Sequence, residues 1–335
     1  MSSIDVIVPC YGYGRYLREC VMSVLSQEVP NLRVLIINDA SPDDTQAVAH
    51  DLVSEDSRVS YVQHLQNKGH IATYNEGIAW ARARYLLLLS ADDFLLPGAL
   101  RRATCALDAN PDVGLHFGEA RGLADDGSTW KIRVPLNFSA VNGCVVLDGH
   151  RFIELCASMG ALNIVPTPTA VVRTCLLKDL GGYAAELPHS ADLELWLRLA
   201  AYSKVAIAGA EQAVYRRHSA NMSLGFQADH GLRDLEQRAA AIDTFIRACN
   251  AVLPSPSYTE RRLKAPLARE AVALAGDAIE NRNRVAADAL STFALSLYPS
   301  IRCSFRWGIL SLKRLLGAKV LGALRPAVTY LRRNG

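Results

Sequence analysis

The stretch Tyr85-Leu86-Leu87-Leu88-Leu89-Ser90-Ala91-Asp92-Asp93 joins an unbroken apolar run to two adjacent carboxylates. A run this short, closed by small residues, reads as a strand buried on both faces, the habit of strands in parallel sheets. Short β-rich runs precede it at Ile4–Val8, Leu32–Ile37 and Val59–Val62. Helical patterns fall between and after them, at Tyr16–Gln27, Asp43–Ser54, His70–Ala83 and Pro97–Asn110. Pro97 suits the first position of the last helix, with Leu96 as its N-cap. The alternation predicts an α/β fold with a mostly parallel central sheet flanked by helices. In such sheets ligands bind beyond the carboxyl ends of the strands, so chemistry is sought just after each strand.

Further along, strands are expected near Val113–Glu119, Thr129–Arg133 and Ala170–Arg173, with a firm helix at Ala191–Ala201. Beyond residue 230 the pattern is helix after helix. The 335 residues are 50% hydrophobic and 21% charged, as in a folded protein with room for one large domain and an accessory segment. A net charge of +3 gives no footing for nucleic acid as a partner. That charge is unevenly placed. Residues 301–335 hold eight basic side chains and no acid, which leaves −5 for residues 1–300. The eight cysteines show no C-x-x-C spacing, no signal peptide is visible, and no apolar run reaches the roughly 18 residues of a membrane span. These features predict a cytoplasmic protein with reduced thiols.

Each strand end carries candidates. The first ends in Pro9-Cys10-Tyr11, where Tyr11 could stack on a nucleobase, although exposed loop tyrosines are common. The following Gly12-Tyr-Gly14 fails as a dinucleotide fingerprint, because Leu17 stands at the third glycine position. The second ends in Asn38-Asp39-Ala40-Ser41-Pro42-Asp43-Asp44-Thr45. Ser41 as an N-cap with Asp44 three positions on would explain Ser41 and Asp43, but not Asp39 at the strand tip. A carboxylate there can accept the imide N–H of a uracil. Asp92 and Asp93 repel one another, and a divalent cation carrying a diphosphate would offset that; Mg²⁺ or Mn²⁺ takes one or two carboxylates plus phosphates. In the helix Ala191–Ala201, Asp192 shares a face with Leu195, Trp196 and Leu199, behind a Ser190 cap. The helix dipole favours ionisation there, and an ionised carboxylate facing a cleft is what a general base requires. Glu194 falls on another face and is expected to be solvated. The run Tyr215-Arg216-Arg217-His218, after a short strand, could neutralise a pyrophosphate or ligate a metal.

Taken together, from Ile4 to Ser223, these segments resemble the family 2 glycosyltransferases with the GT-A fold, a Rossmann-like architecture. The motifs are Val-Pro-Cys-Tyr at 8–11, Asn-Asp-Ala-Ser-Pro-Asp-Asp-Thr at 38–45, Asn67-Lys-Gly69, Asn75-Glu-Gly77, Ser-Ala-Asp-Asp at 90–93 with Leu96-Pro97, Gly181-Gly182-Tyr183, Asp192 with Leu195-Trp196-Leu197-Arg198-Leu199, and Arg217-His218. The resemblance implies a catalytic domain over 1–225, divided into a nucleotide-binding half (1–110) and an acceptor half (111–225), with a helical segment over 226–335. It implies that Asp39 holds uracil and that Pro9 and Tyr11 wall the nucleoside. Asn67, Gly69, Asn75 and Arg217 join the donor site, and Asp92 lies near the ribose. Asp93 and His218 would hold the metal, and Asp192 would be the base, packed against Trp196. One departure is Ser90, where the family commonly places an aspartate.

The reaction implied is inverting transfer from a nucleotide-sugar, most naturally a UDP-sugar, to a hydroxyl acceptor in bacterial surface polysaccharide or glycolipid assembly. A non-catalytic nucleotide-sugar-binding relative is the main alternative. A nucleotidyltransferase would want a Gly-rich basic loop after the first strand, which Arg15 alone does not provide. For residues 301–335, Trp307 and the cations suit an anionic membrane surface, where a lipid-linked acceptor would be found. A helix packed on the protein or in a homodimer is the other reading.

Overall fold

In the computed structural model, which describes residues 2–136, 143–221, 225–226 and 229–316, the first hundred residues alternate as expected. The elements are β1 (Ser3–Cys10), α1 (Gly14–Leu25), β2 (Asn31–Asn38), α2 (Thr45–Glu55), β3 (Val59–Gln63), α3 (His70–Trp80), β4 (Tyr85–Leu88), β5 (Phe94–Leu95) and α4 (Ala99–Ala109). They continue as β6 (Val113–Ala124), β7 (Thr129–Ile132), β8 (Cys144–Leu147), α5 (Gly149–Ser158), β9 (Val171–Arg173), α6 (Thr174–Asp179), α7 (Ala191–Tyr202) and β10 (Lys204–Arg217). The C-terminal helices are α8 (Leu232–Cys249), α9 (Pro256–Glu280) and α10 (Arg284–Leu297), and residues 305–316 are also helical.

The sheet runs β3-β2-β1-β4-β9-β6-β10-β5, with β7 added to β6 and β8 to β10. Its first four strands are parallel; β9 then lies antiparallel between β4 and β6, while β6 and β10 are parallel to each other. Period-two alternation divides β1 between two layers. Ile4, Val6 and Val8 join the core with Leu17, Val21 and Val24 of α1 and Leu100, Ala103 and Leu107 of α4. Each such Val, Leu or Ile side chain, fully buried, contributes about 1.5–3 kcal/mol. Ile7 faces the other way, against α3. A Cβ on Gly77 would lie 2.3 Å from Ile7 Cγ2, so only glycine lets that helix close onto the strand.

Two sequence-based boundaries are corrected. The helix after the acidic pair begins at Ala99, not Pro97, because Gly98 sits in the left-handed region with φ 75° and breaks the turn before it. The cap of α2 is Asp44 rather than Ser41. The Ser41 hydroxyl instead accepts from the Gly12 N–H at 3.1 Å and donates to the Cys10 carbonyl, tying the first two strand ends together. All eight cysteines are free thiols.

By its contacts the chain divides into two compact units: Met1–Ile153 with Asn163–Asn221, and Glu154–Leu162 with Met222–Gly335. The first holds the sheet. Among the described residues of the second, α9 packs against α8 and α10. An alanine-rich seam (Ala268, Ala271, Ala275 and Ala278 with Ala287 and Ala294) lies in its core, beside Leu263, Leu267 and Leu290. Asn283 caps α10, its side-chain oxygen accepting from the Ala286 N–H at 3.0 Å. Among the described residues no helix is long and apolar enough to cross a membrane.

Candidate functional site

Parallel pairing brings the carboxyl ends of β1, β2 and β4 side by side: Cys10 is in register with Asn38, and the N–H groups of Leu89 and Ala91 donate to the carbonyls of Ile7 and Pro9. This sets Tyr11, Asp39 and the Asp92–Asp93 turn on one edge. Pro9 is the penultimate residue of β1, and Tyr11 just beyond it is 52% exposed.

Asp39 is buried and held from three sides. Its Oδ1 faces His64 Nδ1 at 2.7 Å and accepts from the Lys68 N–H at 2.8 Å; its Oδ2 accepts from the Gly69 N–H at 3.0 Å. Burial alone would raise its pKa, but these hydrogen bonds outweigh burial and lower it. The loop can deliver its N–H groups because Gly69 takes a φ of 84°, with its N–H shared to Asn67 Oδ1 at 2.9 Å. A carboxylate has about four acceptor positions. Three are filled here, and the one left is on Oδ2. His64, whose Nε2 faces Glu76 at 3.0 Å, was not singled out from sequence. It follows β3 directly, so the same rule of looking past each strand end would have found it.

Asp92 and Asp93 are both buried. Asp92 Oδ2 lies 3.1 Å from His218 Nε2, and Asp93 Oδ1 accepts from the Arg216 N–H at 2.8 Å. Burial raises the pKa of Asp92, opposed by His218; burial and the charge of Asp92 raise Asp93 further. The His218 ring stacks on Tyr16 with centroids 5.5 Å apart and meets Tyr13 edge-on. Of the two arginines, Arg216 serves the acidic turn. Its Nε donates to the Asp92 carbonyl at 2.9 Å and its guanidinium pairs with Glu19 and lies over Tyr16. Arg217 is exposed. The strand before them is not short: β10 runs 14 residues, and its alternation sends the two arginines to opposite faces. Ser223 lies outside the described residues.

Asp192 lies in the first turn of α7, and its Oδ2 accepts from Thr167 Oγ1 at 2.8 Å, in a 3-10 turn at Thr167–Thr169, with Tyr183 a second polar neighbour. Burial raises its pKa against those hydrogen bonds and the nearby imidazoles of His70 and His189. The helix N-terminus favours ionisation there, and burial opposes it more strongly. Ser190 is the N-cap but makes no side-chain capping bond. Glu194 is not solvated. It is fully buried, paired with Arg198 Nε at 2.7 Å, and Arg198 also donates to the carbonyls of Leu180 and Gly182. Asn75 binds backbone: its amide donates to the Tyr183 carbonyl and its oxygen accepts from the Tyr183 N–H, each at 2.9 Å, which leaves a second N–H and a lone pair. Trp196 is buried beside Asp192's partners, lining a small cavity with Thr167 and Tyr183.

The two buried carboxylates are offset by the His218 imidazole, the Arg216 N–H and guanidinium and the Asn221 amide, yet the pKa of each is raised, and a hard divalent cation would suit them. Among the described residues no three His, Cys, Asp or Glu side chains converge on a metal position. An ion fitting Asp93 and His218 would complete its shell with phosphate oxygens and water.

An acidic turn at the carboxyl edge of a half-parallel sheet, with a buried carboxylate on a following helix, defines the GT-A class of glycosyltransferase fold. Residues 5–141 match the model of glycosyl transferase family 2, and the chain belongs to that family. An uncharacterized protein of Mycobacterium tuberculosis is 30% identical over 225 residues, 65% of this chain and 67% of the relative. Other curated relatives are matched over as little as 31% of their length, so the chain spans a third to two thirds of them. Among solved structures, Staphylococcus aureus TarS 1-349 in complex with UDP-GlcNAc aligns with a TM-score of 0.63 at 17% identity, covering 91% of this chain and 92% of that one. A mannosyltransferase from Pyrobaculum calidifontis, in complex with GDP-Man and Mn²⁺, aligns with a TM-score of 0.52 at 15% identity over 89% and 86%.

Proposed function

We propose that the chain is an inverting glycosyltransferase that moves a sugar from a UDP-sugar to a hydroxyl acceptor, with Asp192 as general base. The observation carrying this is the pair of opposed carboxylate settings in one unit. Asp39 is held ionised by hydrogen bonds with one acceptor position left, while Asp192 is pushed up by burial. The remaining Oδ2 position of Asp39 suits an N–H at the edge of a base, which uracil has, and Tyr11 offers a ring to stack on it. The similarity to folds solved with UDP-GlcNAc and with GDP-Man supports a nucleoside-diphosphate donor.

Asp192 accepts the proton of the acceptor hydroxyl as that oxygen attacks the anomeric carbon opposite the nucleotide, so the configuration inverts. A raised pKa makes it the stronger base once ionised. Asp93 with His218 would hold Mg²⁺ or Mn²⁺, Asp92 would face the ribose, and the ion would supply Lewis-acid neutralisation of the departing diphosphate. Arg216 keeps the acidic turn in shape through its N–H and Nε contacts. For the accessory unit, helix 305–316 supports contact with an anionic membrane. Phe305, Ile309, Leu312 and Leu315 are exposed, while Leu310 is buried and Lys313 and Arg314 pair with Glu280 and Asp288. Residues 317–335, with Lys319, Arg325, Arg332 and Arg333, lie outside the described residues.

Calorimetric titration with UDP, GDP and dTDP, each with Mn²⁺ and then with chelator, tests the donor site. Metal-dependent UDP binding that disappears in Asp93→Ala is the expected result. Folded protein that binds none of the three nucleotides would overturn the reading in favour of a non-catalytic relative.

A further inference from the structure

We propose that His64 is a specificity-determining positioning residue. As a doubly protonated imidazolium it fills one oxygen of Asp39, so that the carboxylate presents a single acceptor position and selects a base edge with one N–H, as in uracil, over the paired donors of guanine. This rests on the reading of Asp39 as the group that binds the base.

The placement follows from the sheet. Parallel register sets Gln63, the last residue of β3, beside Asn38, the last of β2. One step on, the His64 N–H donates to the Asn38 carbonyl at 2.9 Å, which brings the imidazole against Asp39. His64 is only 4% exposed, and each ring nitrogen meets a carboxylate. Nδ1 lies 2.7 Å from Asp39 Oδ1, and Nε2 lies 3.0 Å from Glu76 Oε2. A neutral imidazole has one donor and one acceptor nitrogen, so one of these contacts would set lone pair against lone pair. Both carboxyls are held on the charged side. Lys68 Nζ does this for Glu76, at 2.8 Å, and for Asp39 the His64 and backbone hydrogen bonds outweigh burial. Two acceptors require two ring protons. The ring is then a buried cation between two anions, which is the paired setting a buried charge needs.

The effect on Asp39 is a matter of counting lone pairs. Oδ1 receives the His64 Nδ1–H and the Lys68 N–H, and both its positions are filled. Oδ2 receives the Gly69 N–H and keeps one position. Guanine offers adjacent N1–H and N2–H donors, which pair with both oxygens of an open carboxylate. Here the second donor would meet an occupied Oδ1 and stay without a partner, a costly state in a buried site. Uracil brings one N–H and needs only the free position. Glu76 on α3, braced by Lys68, holds the far nitrogen, so the ring cannot turn away from Asp39. A histidine that only filled space at the strand end would need neither carboxylate.

The test has two parts. Long-range proton–nitrogen NMR of protein labelled at histidine, with the His64 ring assigned by its absence from His64→Asn, should show both nitrogens protonated at neutral pH. Calorimetric titration then compares UDP with GDP in the presence of Mn²⁺, and the wild type should bind UDP at least about tenfold more tightly. In His64→Leu, which donates nothing, the UDP-to-GDP affinity ratio should fall by about tenfold. In His64→Asn, whose amide can place an N–H where Nδ1 stands, the ratio should stay within about threefold of the wild type. His64→Gln, whose longer amide reaches toward Glu76 instead, should behave as His64→Leu does and replaces it if that variant does not fold. A loss of stability alone does not move the ratio. An unchanged ratio in folded His64→Leu or His64→Gln, a wild type that binds both nucleotides equally, or a ring with one proton would each overturn the proposal. The base-binding reading fails separately: Asp39→Ala that binds UDP as tightly as the wild type would remove it, whatever the His64 variants show.

Discussion

At the residue scale the main tension is between burial and ionisation. Asp92, Asp93 and Asp192 all have pKa values raised by burial, so each ionised form costs the native state stability. The sign follows from linkage. The native protein binds more protons than the unfolded chain between the ordinary aspartate value and the raised one, so stability is greatest below that window and falls as pH rises through it. Asp192→Asn removes this cost, and at pH 8 its melting temperature should exceed that of the wild type by about 2–4 °C for each kcal/mol relieved. With Asp192 as the proposed base, the same variant should lose about 10²–10⁴-fold in turnover with donor affinity unchanged, since a base would touch the acceptor and not the nucleotide. Scanning calorimetry and transfer assays of one preparation check both, and a variant that is slower but no more stable would contradict the burial argument. Asp39, Asp92, Asp93 and Asp192 were legible in the sequence because each stands at the end or start of a local pattern. Thr167 and His64 were not readable as their partners, because each contact joins positions 25 residues apart through the fold.

At the element scale α7 shows what periodicity can and cannot say. It separates the face of Asp192 from the face of Glu194, and both faces exist as expected. It does not say what covers them, and α7 is buried nearly all round, so the second face meets the Leu180–Gly182 loop instead of water. Breaking that pair should be expensive: Glu194→Gln strands the Arg198 charge in the interior and is expected to cost about 3–5 kcal/mol in urea unfolding. Exchanging both residues for apolar ones of similar volume should cost far less. The parallel strands were read from short β-rich runs, whereas the antiparallel insertion of β9 carries no local mark. A three-residue strand looks alike whichever neighbour it joins. Pro97 misled for a related reason, as its fixed φ suits a helix start but the left-handed Gly98 after it moves the start to Ala99.

At the scale of the whole molecule the two units answer different questions. The helical unit presents Phe305, Ile309 and Leu312 along one exposed stripe of helix 305–316. Pelleting with phosphatidylglycerol vesicles should exceed that with phosphatidylcholine, weaken in high salt, and fall to background in Phe305→Ser/Leu312→Ser. Equal pelleting with both lipids, or none, would remove the membrane from the account. The sheet unit holds one more consequence. Tyr74 and Asn75, neighbours on α3, both engage Tyr183, one ring against ring with centroids 5.2 Å apart and the other through two hydrogen bonds, and the same helix is N-capped by Gly69, whose N–H holds Asp39. With Asp39 and Asp192 in the roles proposed for them, α3 would connect the donor to the acceptor side of the site. If a donor that moved α3 changed acceptor affinity, the acceptor would by reciprocity change donor affinity by the same factor. The two substrates would then bind interdependently, with a single helix as the link.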